Sequence, residues 1–209
     1  MATLVEIGCA VLVLVAGVVY FTVSAIAHEL GHWAVARLFG ASCQLQWRRA
    51  GPVIVLTTRF STLQPMTPAE DLSTTSAGVV MQLLINLLVV TQSHLPILVG
   101  LAFVSLPLIA LNIVPIEPTD GYHVIRIVAR SRGDAAVITR CVAGGQWVLF
   151  AAALLAASWY ALRLLVASWR GAGGGAAALG VLGIIILFRV VRRLGQLHRG
   201  AAIAAEPAS

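Results

Sequence analysis

Residues 8–39 read GCAVLVLVAGVVYFTVSAIAHELGHWAVARLF and form the longest apolar run of the chain. The first part of this run, Gly8–Ala27, contains no charged side chain, and a membrane-spanning helix needs about 20 such residues. Met1–Glu6 carries no basic residue, so the positively charged segment typical of a signal peptide is missing. We therefore expect the first membrane span here.

The composition of the whole chain supports this reading. Of its 209 residues, 59% are hydrophobic and only 11% are charged, whereas about a quarter of a soluble domain is charged. Disordered chains are polar, so this class is excluded as well. We predict an all-α polytopic membrane protein of about five transmembrane helices. The later spans are expected at about Leu72–Thr91, Leu95–Val114, Ala143–Val166 and Ala176–Val191.

Arginine placement predicts the orientation. All fourteen basic residues are arginines, and with the N-terminus outside only Arg163 and Arg170 fall on the external side. We therefore expect a cytoplasmic C-terminus in a multi-pass integral membrane protein. The arginines are scattered at the ends of apolar runs, which argues against a nucleic-acid partner. An arginine-only, alanine- and glycine-rich composition indicates a bacterial cytoplasmic membrane.

One stretch between the first two spans has strand character. Residues 44–48 alternate polar and apolar side chains, Gly51-Pro52 is a turn signal, and Val53–Thr58 is rich in β-branched residues. We predict a small β-hairpin over residues 44–58, lying on the cytoplasmic membrane surface. An irregular interfacial loop is the alternative.

The first span contains His28-Glu29-Leu30-Gly31-His32, an H-E-x-x-H motif. On a helix, residues four apart lie on one face, so the imidazoles of His28 and His32 can reach one metal ion. Glu29 is rotated by about 100° from His28 and can act on a water without being a ligand. Packing histidines are the alternative, but polar side chains inside the membrane are costly and mark functional sites.

A catalytic zinc needs a third protein ligand. The candidates lie in or just after Asn112–Gly121, which reads NIVPIEPTDG at the end of the third span. Pro115 and Pro118 interrupt this helix, and irregular backbone at membrane depth is tolerated where it lines a wet cavity. Asp120, Glu117 and His123 are the competing third ligands.

These two motifs resemble those of the site-2 protease family of intramembrane zinc metalloproteases. H-E-L-G-H in the first core helix and N-x-x-P-x-x-x-x-D-G at the end of the third occur in order, within about residues 15–125. The resemblance implies one zinc per chain, bound by His28, His32 and Asp120. It implies that Glu29 is the catalytic base and that Asn112 assists catalysis near the active site. Thr119 departs from the leucine that often precedes the Asp-Gly pair.

The second span carries Gly78, Gln82 and Asn86 on one helical face. Gln82 and Asn86 are candidates for substrate contact or for helix packing. Val53 and Val55 of the hairpin are further substrate-binding candidates, because an extended substrate can add to a strand edge.

The chain divides into a site-2-protease-like core at residues 1–125, two C-terminal transmembrane helices at 126–199 and a disordered tail at 200–209. The predicted function is a zinc metalloendopeptidase that cleaves a peptide bond in or near a substrate's transmembrane helix, in regulated intramembrane proteolysis. Its expected partners are the lipid bilayer and a membrane-spanning protein or peptide, and the sequence leaves a homo-oligomer open. The alternatives are a non-proteolytic membrane metal-binding or transport protein and an inactive scaffold of the same fold.

Overall fold

The protein is described by a computed structural model that covers residues 2–50, 53–61, 66–117, 119–131, 135–167 and 174–204. It is a helical bundle with one two-stranded antiparallel sheet after the first helix, which confirms the predicted fold class. In chain order the elements are α1 (Ala2–Leu38), β1 (Ser42–Ala50), β2 (Val53–Ser61), α2 (Pro68–Gln92), α3 (Pro96–Ile113), α4 (Asp120–Ser131), α5 (Ala135–Ala167) and α6 (Gly174–Ala204).

Within the described residues, five helices are long and apolar enough to cross a membrane: α1, α2, α3, α5 and α6. Large apolar side chains remain exposed on their outer surfaces, among them Val18, Leu87 and Leu155. Lipid is as apolar as these side chains, so such exposure is expected of a bundle in a bilayer. The chain has the architecture of a multi-pass integral membrane protein.

The ends of α2 and α3 follow from local sequence. Thr67 caps α2, because its hydroxyl accepts from the Glu70 backbone N–H while the Glu70 carboxylate accepts from the Thr67 N–H. Pro68 occupies the first helical turn, where its missing N–H costs nothing. Helix α3 ends at Ile113, two residues before Pro115, which cannot continue the hydrogen-bonded ladder.

The hairpin is longer than predicted and covers 42–50 and 53–61 rather than 44–58. Its register pairs Leu45 with Thr58 and Arg48 with Val55. The predicted Gly51-Pro52 turn lies outside the described residues. The sheet begins directly after α1, where Cys43 and Ala41 are buried against Ala36, so the hairpin stays close to the H-E-x-x-H helix.

The C-terminal helices α5 and α6 pack against α3. Val104 and Ala110 of α3, Phe150 of α5, and Ile186 and Val190 of α6 form one buried apolar cluster. The predicted boundary between residues 125 and 126 falls inside α4, a helix that the search for apolar runs did not predict. Helix α6 continues to Ala204, past the predicted start of the disordered tail at Gly200. Residues 205–209 lie outside the described residues.

Candidate metal centre

The H-E-x-x-H residues lie on the part of α1 that packs against α2. His32 is 7% exposed, and His28 and Glu29 are partly buried. Helix α2 can approach the two imidazoles only because residue 78 is glycine. A Cβ atom added at Gly78 would lie 2.7 Å from the His28 Cε1 atom and would also collide with the His32 ring. Gly78 therefore allows α2 to pack closely against the part of α1 that carries His28 and His32.

Three side chains converge at this contact. The Nε2 atoms of His28 and His32 are 3.1 Å apart, and Asp120 Oδ2 lies 3.2 Å from the first and 3.5 Å from the second. Among the described residues, these three are the group of histidine, cysteine and acidic side chains whose ligand atoms approach closely enough to share a metal. Glu117 is exposed and not part of the cluster, and neither is His123, so Asp120 is the third ligand that the geometry favours.

The outer ring nitrogens determine how the histidines face the cluster. His32 Nδ1 lies 2.7 Å from the Thr74 carbonyl oxygen, and His28 Nδ1 lies 3.2 Å from Gln82 Oε1. The Gln82 amide is oriented by its own nitrogen, which donates to the Ser24 carbonyl and hydroxyl. Each Nδ1 thus faces an acceptor and carries the hydrogen, which leaves the Nε2 lone pair of a neutral imidazole free for a metal.

Burial raises the pKa of Asp120, but His28 and His32 with a proton on Nε2 outweigh it, through hydrogen bonds and positive charge, and lower the pKa to about 2. Positive charge at the point that the carboxylate shares with the two imidazoles thus stabilises its ionised form. Its buried Oδ2 atom has no hydrogen bond of acceptable geometry in the described part of the chain, although two ring nitrogens are near it. A cation at this point, a proton or a metal ion, would be shared by the two imidazole nitrogens and the carboxylate oxygen.

The separations match a tetrahedral zinc site. In a tetrahedral site with bonds of about 2.0–2.1 Å to the metal, the ligand atoms lie about 3.3 Å from one another. This separation is twice the bond length multiplied by the sine of half the tetrahedral angle. The three observed separations are 3.1, 3.2 and 3.5 Å. Two nitrogen ligands and one oxygen ligand are also the donor types that catalytic zinc takes. The residues present fit zinc.

Asp120 reaches the histidines because α4 begins directly beside the end of α3. Thr119 caps α4: its hydroxyl accepts from the Tyr122 N–H and donates to the Val114 carbonyl. A Cβ atom added at Gly121 would overlap the carbonyl group of Ile113, so this tight junction requires glycine. Asp120 is the first residue of α4, where the helix dipole favours a negative charge. Pro118 lies outside the described residues.

Glu29 bonds to the hairpin and is not part of the ligand cluster. Its Oε2 atom accepts from the Thr58 backbone N–H at 2.7 Å, and its backbone carbonyl accepts from the Thr58 hydroxyl at 3.0 Å. Glu29 lines two cavities together with His28, one of about 620 Å³ and one of about 490 Å³. Glu29 is thus next to the candidate ligand His28, outside the ligand set and accessible from both cavities.

The other predicted site residues are placed differently. Asn112 lines the smaller cavity with Glu29, and its amide nitrogen lies 3.5 Å from Gln82 Oε1. Gln82 also lines that cavity, but its hydrogen bonds go to His28 and Ser24, so it orients a ligand. Asn86 is 5% exposed and bonds to Tyr20, Ser105 and the Ala102 carbonyl. Its position favours helix packing over substrate contact.

Val53 and Val55 lie in β2, and the ladder indicates which backbone groups can reach a substrate. The Thr58 N–H is donated to Glu29, so it faces away from β1. In an antiparallel pair the outward and inward residues alternate, so Ile54 and Leu56 also face the free edge. The backbone groups of Val53 and Val55 face β1, and Ile54 and Leu56 replace them as the edge that a substrate strand can pair with.

Three supporting residues were not predicted from the sequence. Thr74 acts through its carbonyl, which every residue has, so no sequence signal marks it. Thr58 acts mainly through its N–H. Gln146 of α5 is 7% exposed and donates to the Gly121 carbonyl at 3.2 Å, next to Asp120. A polar residue in the middle of an apolar span was the available signal for Gln146.

No protein-family model, curated protein or solved structure matches this chain.

Proposed function

We propose that this protein is an intramembrane zinc metalloprotease related to the site-2 proteases, with one zinc per chain. The observation that carries the proposal is the convergence of His28 Nε2, His32 Nε2 and Asp120 Oδ2 at 3.1–3.5 Å beside a carboxylate that is not a ligand. A protein that only stores or transports a metal has no need of Glu29 at this position. The cavities that reach both the ligands and Glu29 give a peptide access to them.

The residues divide the chemistry as follows. His28, His32 and Asp120 would hold the zinc, and Thr74 and Gln82 fix the orientation of the two imidazoles. A bound zinc ion polarises a carbonyl and lowers the pKa of a coordinated water. Glu29 accepts a proton from the attacking water, whose oxygen adds to the carbonyl carbon. Glu29 then delivers the proton to the amide nitrogen as the carbon–nitrogen bond breaks.

The substrate class follows from the membrane setting. The ligand pair lies on α1, which is a candidate span, so the peptide bond that reaches it belongs to a membrane-embedded or juxtamembrane segment. Carbonyl groups of a helical substrate are engaged in its own hydrogen bonds, so the segment must unwind before attack. The arginine distribution supports a cytoplasmic C-terminus. The arginine-only, alanine- and glycine-rich composition supports a bacterial cytoplasmic membrane, and the resemblance to site-2 proteases suggests release of a membrane-tethered protein as the outcome.

The free edge of β2 is suited to holding the unwound segment. Ile54 and Leu56 offer backbone groups on the edge that also approaches Glu29 through Thr58. Leu56→Pro removes one outward N–H and leaves the ladder to β1 intact, whereas Leu56→Ala keeps the N–H. We expect the proline variant to cleave at least tenfold more slowly than the alanine variant, measured as initial rates on one reporter. Equal rates in the two variants would remove strand pairing from the mechanism.

The central experiment uses Glu29→Gln. Single-span reporter proteins are co-expressed with the wild type, with Glu29→Gln and with the matched control Glu117→Gln, which changes an exposed acid outside the cluster. We expect Glu29→Gln to retain zinc and to lose about 10²–10⁴-fold in cleavage rate, while Glu117→Gln cleaves normally. Asp120→Ala is expected to lose the zinc. Cleavage that survives in Glu29→Gln would refute the proteolytic mechanism.

A further inference from the structure

Two cavities meet at Glu29 and differ in polarity. The larger, of about 620 Å³, is lined on its far side by Asp71, Thr75, His123 and Arg130. The smaller, of about 490 Å³, is lined by a different set of side chains, most of them apolar: Phe21, Ala25, Ile26, Trp47 and Leu56. Both also reach His28 and Thr57. The reacting groups are thus accessible from a polar side and from an apolar side.

Strand β2 is the wall between these cavities. Leu56 lines only the smaller cavity, Thr58 lines only the larger, and Thr57 between them lines both. The two hydrogen bonds from Thr58 to Glu29 hold this part of the strand against α1. A peptide that lies along the free edge of β2 therefore has the apolar cavity on one side and the polar cavity on the other.

The smaller cavity has the size and the lining of a side-chain pocket. Its volume is within the range of small-molecule sites, which are mostly apolar with a few polar groups that orient the ligand. Five of its lining side chains are apolar, and the polar ones are Thr22, His28, Glu29, Thr57, Gln82 and Asn112. Its α1 wall, residues 21–26, belongs to a candidate span, so the cavity is bounded by a membrane helix. An apolar side chain that enters contacts Phe21, Ile26 and Leu56 and lies beside the reacting groups.

We propose that the smaller cavity is a specificity pocket for a large apolar side chain directly beside the scissile bond, with Ala25, Trp47 and Leu56 as its selecting walls. The larger cavity supplies water and accommodates the polar end that cleavage creates. This inference rests on the proposed function, because the pocket is defined by its position beside the proposed zinc ligands and Glu29.

The test uses zinc-directed probes and does not depend on cleavage. N-acetyl hydroxamates of glycine, leucine and phenylalanine are titrated against the zinc-loaded protein in micelles by calorimetry. We expect the leucine and phenylalanine probes to bind the wild type about 10- to 100-fold more tightly than the glycine probe, as burial of such side chains predicts. Partition of the probes into micelles is the same for all variants, so ratios between variants isolate the pocket.

Ala25→Trp fills the smaller cavity, and Thr75→Trp is the matched control in the larger one. We expect Ala25→Trp to bring the preference below about threefold without changing the affinity of the glycine probe, and Thr75→Trp to preserve the preference. Leu56→Ala enlarges the same pocket and serves if Ala25→Trp does not fold. It should raise the affinity of the phenylalanine probe relative to the leucine probe.

The outcomes separate the two proposals. A wild type that binds all three probes equally, or a preference that is lost in Thr75→Trp and retained in Ala25→Trp, would overturn the pocket while leaving the zinc site intact. A wild type that binds no hydroxamate in the presence of zinc would overturn the proposed function, and the pocket assignment would fail with it.

Discussion

Two helix interfaces of this bundle differ in polarity. Where α1 meets α2 and α4, the contact buries imidazoles, a carboxylate and an amide, and a glycine brings the backbones together. Where α3 meets α5 and α6, the contact is a cluster of Val, Ala, Phe and Ile side chains. The apolar interface needs no bound group, because its side chains have no polar atoms to satisfy and gain only from packing against one another. The polar interface places two imidazole nitrogens and a carboxylate oxygen around a common point. Substitutions at the first should therefore change metal binding, and substitutions at the second should change stability.

The largest effect is expected at Gly78. A methyl group there would lie less than 3.0 Å from ring atoms of the His28 imidazole, so Gly78→Ala must displace a zinc ligand or separate α1 from α2. We expect zinc affinity to fall by on the order of a hundredfold or more, the upper end of the effect of changes around metal ligands. Competition with a chromophoric chelator measures it.

The control for this prediction is Gly144→Ala, because a Cβ atom added at Gly144 has no neighbour within 4 Å. That variant should bind zinc as the wild type does. Equal zinc affinities in the two variants would show that the contact of α2 with the imidazoles is looser than the structure indicates.

Phe150→Ala tests the apolar interface. Phe150 is 4% exposed in the cluster between α3 and α6, so truncation leaves a void. We expect unfolding in SDS to require roughly 2 kcal/mol less free energy. This is below the ~3–5 kcal/mol typical of soluble cores, because an unfolded chain in the membrane keeps Phe in lipid. Zinc affinity of the folded protein should not change. A stability loss accompanied by an equal loss of zinc affinity would mean that the two interfaces are not separable.

Gln82 and Asn86 allow the effect on metal binding to be compared with the effect on stability within one helix, because they are one turn apart on α2. Gln82→Leu leaves His28 Nδ1 without its acceptor and should weaken zinc binding about 10- to 100-fold. Asn86→Leu breaks the hydrogen bonds to Ser105 and Ala102 and should lower stability without changing zinc affinity. Chelator competition and SDS unfolding on both variants check this; the reverse assignment of the two losses would contradict the roles given to them.

The sequence predicts those parts of the molecule that depend on local pattern. Apolar run length predicts the five spans, and helical periodicity predicts that His28 and His32 share a face. It could not choose Asp120 over Glu117 without the resemblance, because that choice depends on how Gly121 packs on the end of α3. Helix α4 is short and amphipathic, so a search for long apolar runs passes over it.

The contacts that connect distant elements were not predictable for a further reason. The Thr58 N–H and the Thr74 carbonyl are backbone groups, and backbone groups are the same at every position. Only the packing of β2 and of α2 against α1 decides which of them meets Glu29 or His32. Ile54 and Leu56 face the free edge of β2 because the Thr58 N–H is donated to Glu29 and outward-facing residues alternate along the strand.

The smallest effect is expected at Gln146, where the two interfaces touch. Gln146 belongs to α5, yet its amide donates to the Gly121 carbonyl beside Asp120. Gln146→Leu removes one hydrogen bond between neutral groups, worth about 0.5–1.5 kcal/mol, so zinc affinity should fall about two- to tenfold. Thr139→Val is the control, because it removes a polar group two turns earlier on α5 that has no hydrogen bond within the described residues. Chelator competition should show a loss in the first variant and none in the second. If both bind zinc as the wild type does, α4 alone holds Asp120 in place, and α5 contributes to the bundle only through its apolar face.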